Sequence, residues 1–258
     1  MSPFPCPDVP MLLEVIACSL EDALAAEAGG ADRLELVRDL AAGGMTPSLD
    51  LVDAVLARVR IPVRVMVRDT ISHFVGDPRD RSRLLATARE LSERSVDGIV
   101  FGAVTHAVMT AGHGSNASIV PDIPLLTAVL RASGGKPATF HRAFESVTNP
   151  VKTLGELGRI CGGGAFRLRV DRVLTNGGTG DWPTRLARLE DWTRSCPPHV
   201  QFILGGGVTR ELLVVLPRIP ALREAHVGRA VREPATEDGL VMAHKVEAIA
   251  TRLHAMSD

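Results

Sequence analysis

Short, mostly apolar runs recur along the chain, each followed by a longer stretch with helical spacing. The first run, 11–17, is apolar except for Glu14, and the second, 32–37, carries Glu35 among apolar neighbours. Further runs fall at 62–68, 98–103, 137–140, 172–175, 200–204 and 224–227. Between and after them the pattern predicts helices over about 20–28, 47–58, 77–95, 123–131, 150–160, 182–194, 210–216 and 237–254. Ser19 stands where an N-cap belongs, with Glu21 and Asp22 beside the positive end of the first helix and Gly29-Gly30 at its close. Thr46 and Pro47 mark the start of the second helix in the same way. Residues 1–10, with four prolines, read as a lead-in, and 11–258 as one domain. The segment 105–118, rich in Gly, Ala, Thr and Ser, reads as an extended loop, either disordered or a lid.

Eight strand candidates alternating with eight helix candidates predict parallel strands joined by crossover helices. Packed into 258 residues, they favour a closed (β/α)8 barrel over an open sheet. The first strand has no G-x-G-x-x-G behind it, which argues against a dinucleotide-binding fold. With 45% hydrophobic but only 3% aromatic residues and no Tyr, the core must be built from Ala, Val, Leu and Ile. A net charge of -1 leaves no electrostatic footprint for nucleic acid or an anionic membrane. No apolar run approaches the roughly 20 residues of a membrane span, and the start lacks the pattern of a secretory signal. Cys6, Cys18, Cys161 and Cys196 form no C-x-x-C. The expectation is a cytoplasmic protein with reduced thiols.

Several strand candidates carry groups that a buried strand has little use for. Glu14, Glu35, Arg68, His141, Arg142, Thr175 and His226 all lie within or at the ends of such runs, where a barrel opens onto its site. Glu14 or Arg142 alone reads equally well as a buried polar group held in an ion pair. Together the seven read as a floor that binds a polar ligand or runs acid–base chemistry. In that role Glu14 or Glu35 is the base, His141 an acid or shuttle, and Arg68 and Arg142 charge stabilisers. Gly205-Gly206-Gly207 and Gly228-Arg229 follow the last two strands, where barrels often hold a phosphate on backbone N–H groups; tight turns would account for the glycines as well. Cys18 alone among the cysteines falls just after a strand. A thiolate with an imidazole suits Cu(I) or Zn(II), while a lone cysteine is more often simply buried.

Longer motifs carry a resemblance. Leu13-Glu14-Val15 with Cys18, Gly29-Gly30-Ala31-Asp32-Arg33-Leu34-Glu35-Leu36, Gly43-Gly44-Met45-Thr46-Pro47-Ser48, Asp97-Gly98-Ile99-Val100-Phe101-Gly102, Thr139-Phe140-His141-Arg142-Ala143-Phe144, Val173-Leu174-Thr175-Asn176-Gly177 and Gly205-Gly206-Gly207-Val208 follow one another in the order found in the copper homeostasis protein CutC family, which the chain resembles. The resemblance implies a TIM-type barrel, a cytoplasmic location, self-association and a role in copper handling, with Cu(I) binding at Cys18 as its metal expectation. Three positions depart from the family pattern: Asp69-Thr70 after Arg68, Glu145 where an aspartate is usual, and Val227-Gly228-Arg229 after His226. Two readings follow, a copper-binding protein and a barrel enzyme acting on a small anionic or phosphorylated metabolite. In the second, Thr175, Asn176, Gly205, Gly206, Gly207, His226, Gly228 and Arg229 contact the substrate.

Overall fold

The structure, a computed structural model, describes residues 11–107, 118–160, 168–210, 212–219 and 222–256. The lead-in 1–10, most of the expected 105–118 loop and the Cys161–Gly164 end of the fifth helix lie outside them. Eight parallel strands close into a barrel. They are β1 (Leu12–Ala17), β2 (Arg33–Leu36), β3 (Val63–Met66), β4 (Gly98–Val100), β5 (Ala138–Phe140), β6 (Val170–Thr175), β7 (Gln201–Leu204) and β8 (Glu224–Val227), and β8 pairs back onto β1. The register sets Glu14 opposite Arg33 on one side and His226 on the other.

Helices α1 (Leu20–Ala28), α2 (Leu49–Leu56), α3 (Pro78–Ser92), α4 (Ile123–Ala132), α5 (Pro150–Gly158), α6 (Trp182–Arg194) and α7 (Ala243–His254) fill most of the crossovers. Ser19 caps α1 by accepting from the Asp22 N–H, as its position predicts. Gly29 stays right-handed, and only Gly30, at φ +86°, takes up the left-handed geometry. Three predictions are corrected. The cap of α2 is Ser48, because the Thr46 hydroxyl is engaged across the barrel mouth with the backbone of Arg68. The seventh crossover holds a 3-10 turn, Leu212–Arg218, in place of an α-helix; Pro217 removes an N–H in a run already carrying β-branched Val214 and Val215. The last helix begins at Ala243, not 237, since Arg232–Glu233 and Leu240–Val241 first pair as an antiparallel ribbon. The described ends of the 105–118 segment are a second ribbon, Val104–His106 with Ile119–Pro121.

Side chains alternate across each strand. Leu13, Val15, Leu34, Leu36, Val63 and Val65 join the main core against the helices. The opposite positions fill the barrel. Ile16, Val37, Met66 and Val100 make a small apolar cluster there, over a buried ionic layer. In that layer Arg33 bridges Glu14 and Glu224, and Arg64 grips Asp171 with two bonds of 2.7 and 2.8 Å. Arg172 joins Asp171 and Glu224. Three guanidinium groups thus face three carboxylates, which removes the net charge that burial would otherwise punish. Glycine makes this layer possible: a Cβ on Gly98 would come 3.3 Å from the Arg64 guanidinium and 2.6 Å from the Pro137 carbonyl oxygen.

Candidate functional site

A cavity of about 520 Å³ opens at the C-terminal mouth of the barrel. Glu35, Arg68, His141, Arg142, Gly206, Gly207, His226, Gly228 and Arg229 line it, so nine of the residues expected at the mouth do converge. The others sit elsewhere. Glu14 is wholly buried one step below, between His226 and Arg33. Thr175 and Asn176 shape the loop after β6: Thr175 donates to Glu145, and their side chains accept the Gly177 and Gly178 N–H groups. Gly205 makes room rather than contact, since a Cβ there would lie 3.0 Å from the His226 ring and 2.5 Å from Leu174.

The floor of the cavity is a carboxyl–imidazole pair. His226 Nδ1 lies 2.8 Å from Glu14 Oε1 and 3.8 Å from Glu35 Oε2. Burial raises the affinity of Glu14 for a proton, but Arg33 and His226 outweigh it and hold this carboxyl far below its usual range. Glu35 has no such arginine bond. Burial pushes it up to about 7, and its Oε2 finds no hydrogen-bond partner among the described residues. Burial opposes charge on His226, yet the two glutamates raise its pKa above the ordinary value. Of the two acids proposed as base, Glu14 is locked and Glu35 is the one able to exchange a proton near neutrality.

The opposite wall holds His141 and His73, with rings 5.2 Å apart. His141 caps the 3-10 turn Arg142–Ser146, and its Nδ1 accepts the Ala143 N–H at 3.1 Å. Burial, His73 and Arg68 drive its pKa well below the ordinary value, so it is neutral. A Cβ on Gly102 would sit 2.7 Å from His141 Nδ1, so this glycine is what lets the imidazole in. His73, also on the cavity wall, is held at about 4 by burial, Arg68 and Arg142. Gly102, His73 and the ionic layer were not singled out in the sequence. Gly98 and Gly102, four apart and so on one face of the 98–103 run, are the available sign, while nothing local marks His73.

The rim is cationic. Arg68 reaches the carbonyls of Thr70, Gly43 and Ile71, which organises two loops and leaves its charge without a carboxylate partner among the described residues. Arg142 pairs with Glu145 at 2.7 Å, and the same carboxylate accepts the Asn176 N–H, so Glu145 in place of an aspartate ties two mouth loops together. Arg229 pairs with Glu237 at 3.2 Å. Gly206 and Gly207 take φ +79° and +101°, a left-handed geometry that glycine alone adopts freely. The expected helix N-terminus behind them is missing, because only the 3-10 turn follows.

The metal expectation fares differently. Cys18 lies off the cavity wall, packed against the Ile16 cluster, with its Sγ 3.5 Å from Arg232 Nη2. Burial raises its pKa, and Cys196, pushed up to about 12 by burial, bonds the Val200 carbonyl at the far side of β7. A single half-buried thiol facing a guanidinium does not fit Cu(I), which needs soft, deprotonated donors. Glu14, Glu35 and His226 do bring three ligand atoms within 4.8 Å of one another. That set is hard in character, and both oxygens of Glu14 are already bonded to Arg33 and His226.

Comparison with known proteins places this geometry. The profile of the CutC family matches residues 11–231. The human copper homeostasis protein cutC homolog is 33% identical over 198 residues, covering 77% of this chain and 66% of that protein. A CutC family protein of Mesorhizobium japonicum is 30% identical over 225 residues, covering 87% of this chain and 80% of its own length. Among solved structures, CutC from Streptococcus agalactiae superimposes with a TM-score of 0.69 at 23% identity, over 84% of this chain and 98% of that one. Thiamine phosphate pyrophosphorylase from Pyrococcus furiosus reaches 0.54 at 12% identity, over 95% of this chain and 96% of that one, a likeness of fold alone. With its barrel complete and the match running from β1 past β8, the chain belongs to the CutC family.

Proposed function

We propose that the mouth of the barrel binds a small anionic metabolite and carries out acid–base chemistry on it. One observation carries this reading. A buried acid with a pKa pushed up to about 7, Glu35, lies on the wall of a cavity whose rim bears Arg68, Arg142 and Arg229. A perturbed acid in a concave site is a functional signature, and the guanidinium rim selects for negative charge. Glu35 is the acid or base, His226 its proton partner, His141 a neutral donor, and Arg68 and Arg142 hold the anion. The charge of Arg68, without a carboxylate partner among the described residues, supports the last assignment.

A copper role for the family does not require a copper ion in this cavity, and the donor set supports none. The protein acts in the cytoplasm and self-associates in this reading. Among the described residues no helix is long and apolar enough to cross a membrane. Exposed Ile71 and Leu240 on loops and ribbon supply apolar surface for a second copy. Calorimetric titration with inorganic phosphate and with small sugar phosphates tests the anion site. Binding that weakens about tenfold in Arg68→Gln is expected, in line with loss of a charge-assisted contact. An absence of binding by every phosphate-bearing and carboxylate-bearing compound tried removes the proposal.

A further inference from the structure

Two residues of the cavity lining each hold a buried polar atom with no hydrogen-bond partner among the described residues: Glu35 Oε2 on β2 and His141 Nε2 just after β5. Both residues are 3% exposed. Native proteins seldom leave such atoms open, and where they do a missing ligand is a common reason. The chemistry of each atom is fixed by its surroundings. The Ala143 N–H can only donate, so His141 Nδ1 must accept, and the single proton of the neutral ring sits on Nε2. The cavity lining therefore holds an unpartnered N–H donor in one wall and an unpartnered carboxyl oxygen in another.

Resting on the small-anion reading of the same cavity, we infer that its substrate is an anionic α-hydroxy carbonyl compound and that the reaction is proton transfer at the carbon beside the carbonyl. Glu35 takes the C–H proton, and the bonding pair becomes a carbon–carbon double bond. The carbonyl pair moves onto oxygen, and the resulting enediolate oxygen accepts from His141 Nε2–H. Return of the proton to the same carbon exchanges or epimerises it. Return to the neighbouring carbon, with the hydroxyl proton passing to the former carbonyl oxygen, isomerises it.

Three observations favour this class. A neutral imidazole parts with its only proton reluctantly, so it polarises a carbonyl rather than protonating a leaving group. Among the described residues no lysine or cysteine lines the cavity, which removes imine and thiolate adducts with the same carbonyl. Burial, which raises the pKa of Glu35, adds basic strength to its ionised form.

The test is hydrogen exchange in D2O. Dihydroxyacetone phosphate, hydroxypyruvate and ribulose 5-phosphate are incubated with the full-length protein, and loss of the α C–H signal is followed by proton NMR against protein-free solution. Exchange of at least one probe is expected. It should fall at least about 100-fold in Glu35→Gln, which keeps the shape of the side chain but cannot take a proton. Calorimetry should show that Glu35→Gln still binds the probe. His141→Gln, which retains an N–H donor, should keep more exchange than His141→Ala at similar probe affinity. If the native protein binds the probes yet exchanges none above background, the enediolate chemistry is wrong and the anion site survives. If none binds, both readings fall.

Discussion

His226 Nδ1 lies 2.8 Å from Oε1 of Glu14, a side chain with no exposed surface whose other oxygen is bonded to Arg33. The ionic layer and the cavity floor meet at this contact. Glu14→Gln should strand Arg33 and remove the partner that orients His226. A loss of about 3–5 kcal/mol in unfolding free energy is expected, as for breaking one side of a buried pair. Urea denaturation measures it, and a change below about 1 kcal/mol would show that the layer tolerates an unpaired guanidinium.

Glu35 makes stability depend on pH. Its carboxyl rises from 4.5 to about 7 on folding, so between those values the folded state holds more protons than the unfolded chain. Stability therefore declines as pH climbs through that window. His226, also raised, acts in the same direction: its contribution is present below its unfolded pKa and is lost as pH climbs through the higher folded one. His73, held at about 4 against a usual 6.5, acts oppositely and costs stability as pH falls from 6.5 towards 4. Glu35→Gln should gain on the native protein by roughly 3 kcal/mol between pH 5 and pH 8, at 1.36 kcal/mol per unit of pKa. Parallel pH–stability curves for the two proteins would refute the assignment.

Gly102→Ala should injure the site more than the fold. The added Cβ would lie 2.7 Å from His141 Nδ1 and 3.1 Å from the Ala143 Cβ. Overpacking of this kind costs about 1–3 kcal/mol, while the displaced imidazole loses its aim into the cavity. The expected result is a folded protein with weakened or absent phosphate binding by calorimetry. Native affinity in the variant would mean that His141 is not part of the site.

Cu(I) competition against a strong chelator should find no tight site, because the Cys18 thiol is raised in pKa by burial and faces Arg232. Cys18→Ala should leave phosphate binding unchanged. Stoichiometric Cu(I) uptake that disappears in Cys18→Ala would reverse this and restore the thiol as a ligand.

The architecture was written locally. Apolar runs of strand length, a cap such as Ser19 and glycines at helix ends are decided by neighbours in sequence, which is why all eight strands are legible there. Where a local signal was spent on a distant partner, the reading failed: Thr46 looked like a cap but bonds Arg68. The expected seventh helix is a 3-10 turn, and Pro217 is the local sign of it in the sequence.

The gathering of Glu35, His141, Arg142 and His226 at one mouth was also legible, because parallel strands in a closed barrel must bring their C-terminal ends together. Their division of labour was not. Glu14 and Glu35 look alike in sequence, each a glutamate among apolar residues. Only the barrel puts Arg33 against Glu14 and leaves Oε2 of Glu35 buried without a partner among the described residues. Charge depends on burial and on partners distant in sequence, 212 positions apart in the His226–Glu14 bond, and closure of the sheet is what sets those distances.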